Sequence, residues 1–167
     1  NSIPSSPFLP LRSFPLPALS LFSVERHIHR GNGMKNKEKS LGDLLYALGE
    51  RAKELNCLYH VEEVLTRKET DFDAVFHGVI EAIPPGWQFP DICRARIVYG
   101  SRSYTSADFV ETRWRLRTDI VIQDKVEGRI EVFYIREVGP ADEGPFLHEE
   151  RKLINTIAER LGHHILH

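Results

Sequence analysis

The residues best equipped for chemistry in this chain are arginines that strand-type alternation sends to one side of a sheet. Cys93, Ala95, Ile97 and Tyr99 alternate with Arg94, Arg96 and Val98, and Trp114, Leu116, Ile120 and Ile122 alternate with Arg113, Arg115, Arg117 and Asp119. Ile130, Val132 and Tyr134 do the same with Arg129, Glu131 and Phe133. A period of two puts alternate side chains on opposite faces, so Arg94, Arg96, Arg113, Arg115, Arg117 and Arg129 share the polar one. Guanidinium groups gathered in that number can receive a phosphate or carboxylate through paired N–H donors, which makes a small-molecule anion the candidate ligand. The competing reading uses Glu111, Asp119, Glu127 and Glu131, which can form cross-strand ion pairs on a solvated face without any ligand. Trp87, after a Pro-Pro-Gly turn, is a further candidate as a stacking surface at the sheet edge.

Other reactive residues lack companions. Eight histidines are present, and His163 and His167 fall one helical turn apart, but zinc needs three or four protein ligands and the pattern is not HExxH. His60, His77 and His148 lie on expected helices with no kinase-type motif around them. Cys57 and Cys93 have no CxxC partner, which argues against a disulfide scaffold and fits a reducing, cytoplasmic setting. Cys93 reads as a small core residue. No Ser/His/Asp order, Gly-rich phosphate loop or paired-carboxylate motif appears, so the sequence points away from an enzyme and assigns no cofactor. A formal net charge of −2 gives no reason to expect nucleic acid or a membrane surface as partner.

The elements that must position these residues begin after a different kind of sequence. Residues 1–33 hold five of the ten prolines within the first 17 positions and show no periodicity. Met34 is the only methionine, and Arg30-Gly31-Asn32-Gly33 can be written in the purine-rich codons of a ribosome-binding site. Residues 1–33 are therefore expected to be a Pro-rich, disordered leader of upstream or cloning origin, and 34–167 the working domain.

Within 34–167, Ser40 and Asp43 resemble a helix cap. Leu41, Leu45, Leu48, Ala52, Leu55 and Tyr59 then recur at alternating intervals of four and three, the spacing of a coiled-coil seam, with Leu44, Leu58 and Leu65 widening the stripe. Thr70 or Asp71 caps a second helix carrying Phe72, Val75, Phe76, Val79, Ile80 and Ile83, stopped by Pro84-Pro85-Gly86. A short strand is expected around Arg102 to Thr105, and a hairpin loop at Lys125 to Gly128. A last helix follows Asp142-Glu143-Gly144-Pro145, with Pro145 in its first turn and Leu147, Ile154, Ile157, Leu161 and Ile165 at helical spacing. The sum is an α+β domain: an antiparallel sheet of four to six strands with N- and C-terminal helices packed on one face.

The phrases KELNCLYHVEEVL (Lys53–Leu65), IPPGWQFPDICRARI (Ile83–Ile97), FVETRW (Phe109–Trp114), VEGRIEVFYIRE (Val126–Glu137) and DEGPFLHEERKLINTIAERLG (Asp142–Gly162) resemble a compact GAF-type sensor domain. Such domains occur beside histidine kinases and in phosphoenolpyruvate-synthase-like proteins. The resemblance implies a cytoplasmic regulatory module that dimerises through its terminal helices and relays a small-molecule or partner signal to an effector. A ligand-free structural dimerisation module, or an accessory domain of a phosphotransferase, is the alternative. The stretch between Tyr104 and Trp114 is too short for the lid helices of larger relatives, so the arginine face is expected to be open. The two apolar stripes, Leu41, Leu45, Leu48 and Leu55 near the start and Ile154, Leu161 and Ile165 near the end, are the expected homodimer interface.

Overall fold

The computed structural model describes residues 32–68 and 71–167. Residues 1–31 of the expected 1–33 leader, and Thr70, lie outside the described residues; its last two, Asn32 and Gly33, are helical and not part of a disordered leader. Two compact units divide the chain, residues 1–49 and residues 50–167. The elements in order are α1 (Asn32–Thr66), α2 (Phe72–Ala82), two short 3-10 turns (Pro84–Gly86 and Pro90–Ile92), β1 (Cys93–Tyr99), β2 (Arg102–Thr105), β3 (Arg115–Ile122), β4 (Lys125–Tyr134) and α3 (His148–Leu166). The protein is thus α+β, with a four-stranded antiparallel sheet and helices at both ends.

In the first unit the described structure is helical from Asn32. Ser40 is consequently an interior helical residue and not the N-cap expected from sequence. The residues ahead of it, with Met34, Lys35, Lys37, Glu38 and Lys39, are good helix formers and carry the helix backward past the cap signal.

The second unit is built on one core. Cys57, Val61, Val64 and Leu65 of α1 join Val75, Phe76, Val79 and Ile80 of α2 and Leu153, Ile154, Ile157 and Leu161 of α3 over the inner sheet face. The Asp71 carboxylate accepts the Asp73 N–H at 3.0 Å and caps α2 as expected. Pro84-Pro85-Gly86 ends the helix by tightening into a 3-10 turn. A Cβ on Gly86 would sit 2.7 Å from Cys57 Cβ, so the bare backbone there lets the turn close on α1.

The sheet order is β2-β1-β4-β3. The β3–β4 hairpin differs from expectation. Its turn is Gln123-Asp124, both at positive φ (50° and 64°), the geometry that matches the twist of the flanking strands. Lys125 to Gly128, the expected loop, is already strand β4. Gly128 is needed for close approach instead: a Cβ there would fall 2.4 Å from the Val98 carbonyl oxygen.

The start of α3 also departs from expectation. Pro145 lies outside the helix, which begins after Leu147. Its first N–H groups are satisfied by acids, with His148 N–H on Asp142 Oδ2 (2.9 Å) and Leu147 N–H on Glu150 Oε1 (2.7 Å). Gly162 brings α3 against β3, since an added Cβ would lie 2.9 Å from the Val121 carbonyl oxygen. Gly162→Ala should cost about 1–3 kcal/mol of overpacking, partly offset by up to about 1 kcal/mol of helix propensity. A lowered urea midpoint with an unchanged slope is the expected result; an unchanged midpoint would mean that the helix can shift freely away from β3.

Candidate functional site

The outer sheet face is a grid set by strand register. Phe133 lies between Arg94 and Arg115, Glu131 between Arg96 and Arg117, and Arg129 between Val98 and Asp119. Sequence alternation therefore placed Arg94, Arg96, Arg115, Arg117 and Arg129 correctly on one face. Trp87 is a correction: it is fully buried in the opposite, inner core and offers no surface to a ligand. Trp87 directly follows the first 3-10 turn, and burial of its large ring, although the indole N–H finds no partner among the described residues, outweighs the edge position its sequence context suggested.

At the centre of the grid is Glu131, which is 0% exposed. Its carboxylate accepts from Arg96 Nε at 3.0 Å and Arg96 Nη2 at 3.1 Å, a two-pronged pair, and from Arg129 Nε at 2.9 Å and Arg115 Nη1 at 3.4 Å. Burial pushes this carboxyl upward, but the hydrogen bonds of Arg96 and then Arg129 outweigh it and hold the group below its ordinary value. Arg96 also reaches Glu111 at 3.0 Å and lies 5.3 Å from the ring centres of both Phe109 and Phe133. Arg94 is tied back to the Asp91 and Cys93 carbonyls, each at 3.0 Å. Among the described residues the Arg117 guanidinium approaches only Asp119, at 3.6 Å, and Arg113 lies over the Trp114 ring. The burial of Glu131 is the feature alternation missed. Beside Glu131, Arg117, Arg129, Asp119, Glu127, Gly128 and Val98 line a hollow of about 200 Å3.

A second polar cluster lies where α1 and α3 meet the same loop. Lys53 Nζ donates to the carbonyls of Trp87 (3.3 Å) and Gln88 (3.2 Å), and pairs with Glu50 at 3.1 Å. The Gln88 N–H donates in turn to Glu150 Oε2 at 2.8 Å, and the Tyr134 hydroxyl to the same oxygen at 3.1 Å. Both helices thus grip one peptide segment. Burial raises the Glu150 carboxyl above its ordinary value, with the Leu147, Gln88 and Tyr134 hydrogen bonds opposing the rise. Burial also pushes the Cys57 thiol up to about 12 and the Cys93 thiol well above its ordinary value. Neither is poised as a thiolate.

The two expected dimer stripes fare differently. Ile154 and Leu161 are fully buried within the second unit and Ile165 is half-buried, so the α3 stripe is core and not an interface. The reason is register: α3 lies along β3, so its apolar face turns to the inner sheet. On α1, Leu41, Leu44 and Leu48 in the first unit are 48–58% exposed and Leu45 is half-buried. In the second unit Leu55 and Tyr59 are exposed. Among the described residues no helix is long and apolar enough to cross a membrane, and no group of three or more His, Cys, Asp or Glu side chains could hold a metal ion. Comparison with protein-family models, curated proteins and solved structures finds no match for this chain in any of the three.

Proposed function

We propose that this chain is a cytoplasmic regulatory module of the GAF type that self-associates through α1 and relays the state of its sheet domain to an effector. The exposed leucines of α1 carry the reading. Leu41, Leu44 and Leu48 stand in water on consecutive turns, and Leu55 and Tyr59 continue the same four-three spacing in sequence. Contiguous apolar surface of this kind marks an interaction site, and a heptad stripe is complementary to itself under a two-fold axis. A second copy of the chain is therefore the occupant. Gly42 and Gly49 carry no side chain and, among the described residues, have nothing within 4 Å of an added Cβ, leaving room beside the stripe for a close helical neighbour.

The relay follows from the polar cluster. A change in the sheet domain that moves the Trp87-Gln88 segment acts on Lys53 of α1 and Glu150 of α3 together. The role assigned is binding and transmission, not catalysis.

Sedimentation of the full chain at tens of micromolar tests self-association. The expected result is a dimer, and a folded monomer for Leu45→Lys combined with Leu48→Lys, with the far-UV spectrum retained. A monomeric unmodified chain at high micromolar concentration would remove the basis of the reading.

A further inference from the structure

We propose that the outer sheet face binds a small oxyanion, a phosphoryl or carboxylate group, between Arg117 and Arg129. The grid holds five guanidinium groups, from Arg94, Arg96, Arg115, Arg117 and Arg129, against the four carboxylates of Glu131, Asp119, Glu111 and Glu127. The chain as a whole has a formal net charge of −2, so this positive excess is local. Glu131 cannot absorb it. A carboxylate offers about four acceptor positions, and those of Glu131 are taken by Arg96 (twice), Arg115 and Arg129.

Saturating Glu131 leaves two arginines with donors to spare. Arg129 is anchored through Nε alone, and its two Nη groups bond to no described residue. Among the described residues the Arg117 guanidinium has only the 3.6 Å approach to Asp119, longer than a good hydrogen bond. Both line the hollow, which opens to solvent on the outer sheet face. Gly128 also lines it. Arg129 is held through Nε by a buried carboxylate, so its Nη groups reach an anion from an anchored side chain, while Arg117 is the arm the anion would order.

Asp119 and Glu127 also line the hollow and oppose an anion. Asp119 competes with it for Arg117, which gives the site a signature that a simple surface ion-pair lattice lacks: removing that carboxylate should tighten binding.

The test titrates the full chain with inorganic phosphate and, separately, with succinate, against sodium chloride at matched ionic strength, following melting temperature and heat of binding. Saturable stabilisation beyond the chloride control is expected. Arg117→Gln, an exposed change away from the Glu131 bonds, should weaken it tenfold or more, Asp119→Asn should strengthen it several-fold, and Arg136→Gln, an exposed arginine outside the grid, should leave it unchanged. Response to phosphate alone assigns a phosphoryl ligand, and response to succinate alone a carboxylate. No saturable effect from either, an unchanged affinity in Arg117→Gln, or no gain in Asp119→Asn would each overturn the proposal. Self-association is read separately by sedimentation, so either idea can fail without the other.

Discussion

Replacing Glu131 with alanine is expected to destabilise the protein by about 3–5 kcal/mol, the cost of leaving desolvated charges without their partner. The side chain is 0% exposed, and its removal strands Arg96, whose own side chain is 16% exposed and held between two phenyl rings. Arg115 and Arg129 are more exposed and can turn to water, so the Arg96 pair dominates and their shares are discounted for screening. Urea unfolding measures the loss. A change below about 1 kcal/mol would mean that desolvation cancels the attraction and that the grid is not structural. The same carboxylate sets a pH dependence. Its pKa is lowered on folding, so its stabilisation is complete above the ordinary carboxylate range and disappears as pH falls through the lowered value. Glu150 runs the other way. Its pKa is raised, so the folded state holds the proton longer than the unfolded one, and stability declines as pH rises from the ordinary value through the raised one. The Ala variant should therefore flatten the acid limb of the stability profile below the ordinary carboxylate range and leave the Glu150 slope in place.

Most of what alternation and helical spacing can report was legible. The five grid arginines share a face because β1, β3 and β4 keep period two through the rows that matter, and the irregularity in β3 comes later, between Ile120 and Val121. Strand β2 and the Asp71 cap followed from local signals. The failures have a common cause: they depend on what lies across from a residue. A turn of two non-glycine residues at positive φ carries no glycine marker, so Gly128 drew the loop toward itself. Glu131 looked like a surface acid because hydropathy does not register three arginines arriving from three strands. Trp87 looked peripheral because its turn is peripheral in sequence, while in space the 3-10 turn presses against Cys57 and Leu153. The start of α1 was set late because a cap signal stops a helix only when the preceding residues do not favour one.

The apolar residues of α3 and α1 should respond in opposite ways to the same truncation. Ile154 has no exposed surface and packs with Ile157, Leu161 and the inner sheet residues, so Ile154→Ala removes buried volume that its neighbours cannot refill. A loss of about 2–5 kcal/mol is expected, independent of protein concentration. Leu48 is 58% exposed, so in an isolated copy Leu48→Ala should change stability by no more than about 0.5 kcal/mol. If two copies share the α1 stripe, the loss in Leu48→Ala must instead grow with protein concentration, because association stabilises the folded state by mass action and the variant forfeits that term. Urea unfolding of both variants at 1 µM and 100 µM, as roughly hundredfold-separated conditions, decides between these cases. A concentration-dependent penalty for Leu48→Ala beside a constant one for Ile154→Ala assigns α1 to the interface and α3 to the core. A concentration-dependent loss at Ile154 would mean that α3 is exchanged between copies, and a constant, small loss at Leu48 would leave the α1 leucines as surface residues with no partner in solution.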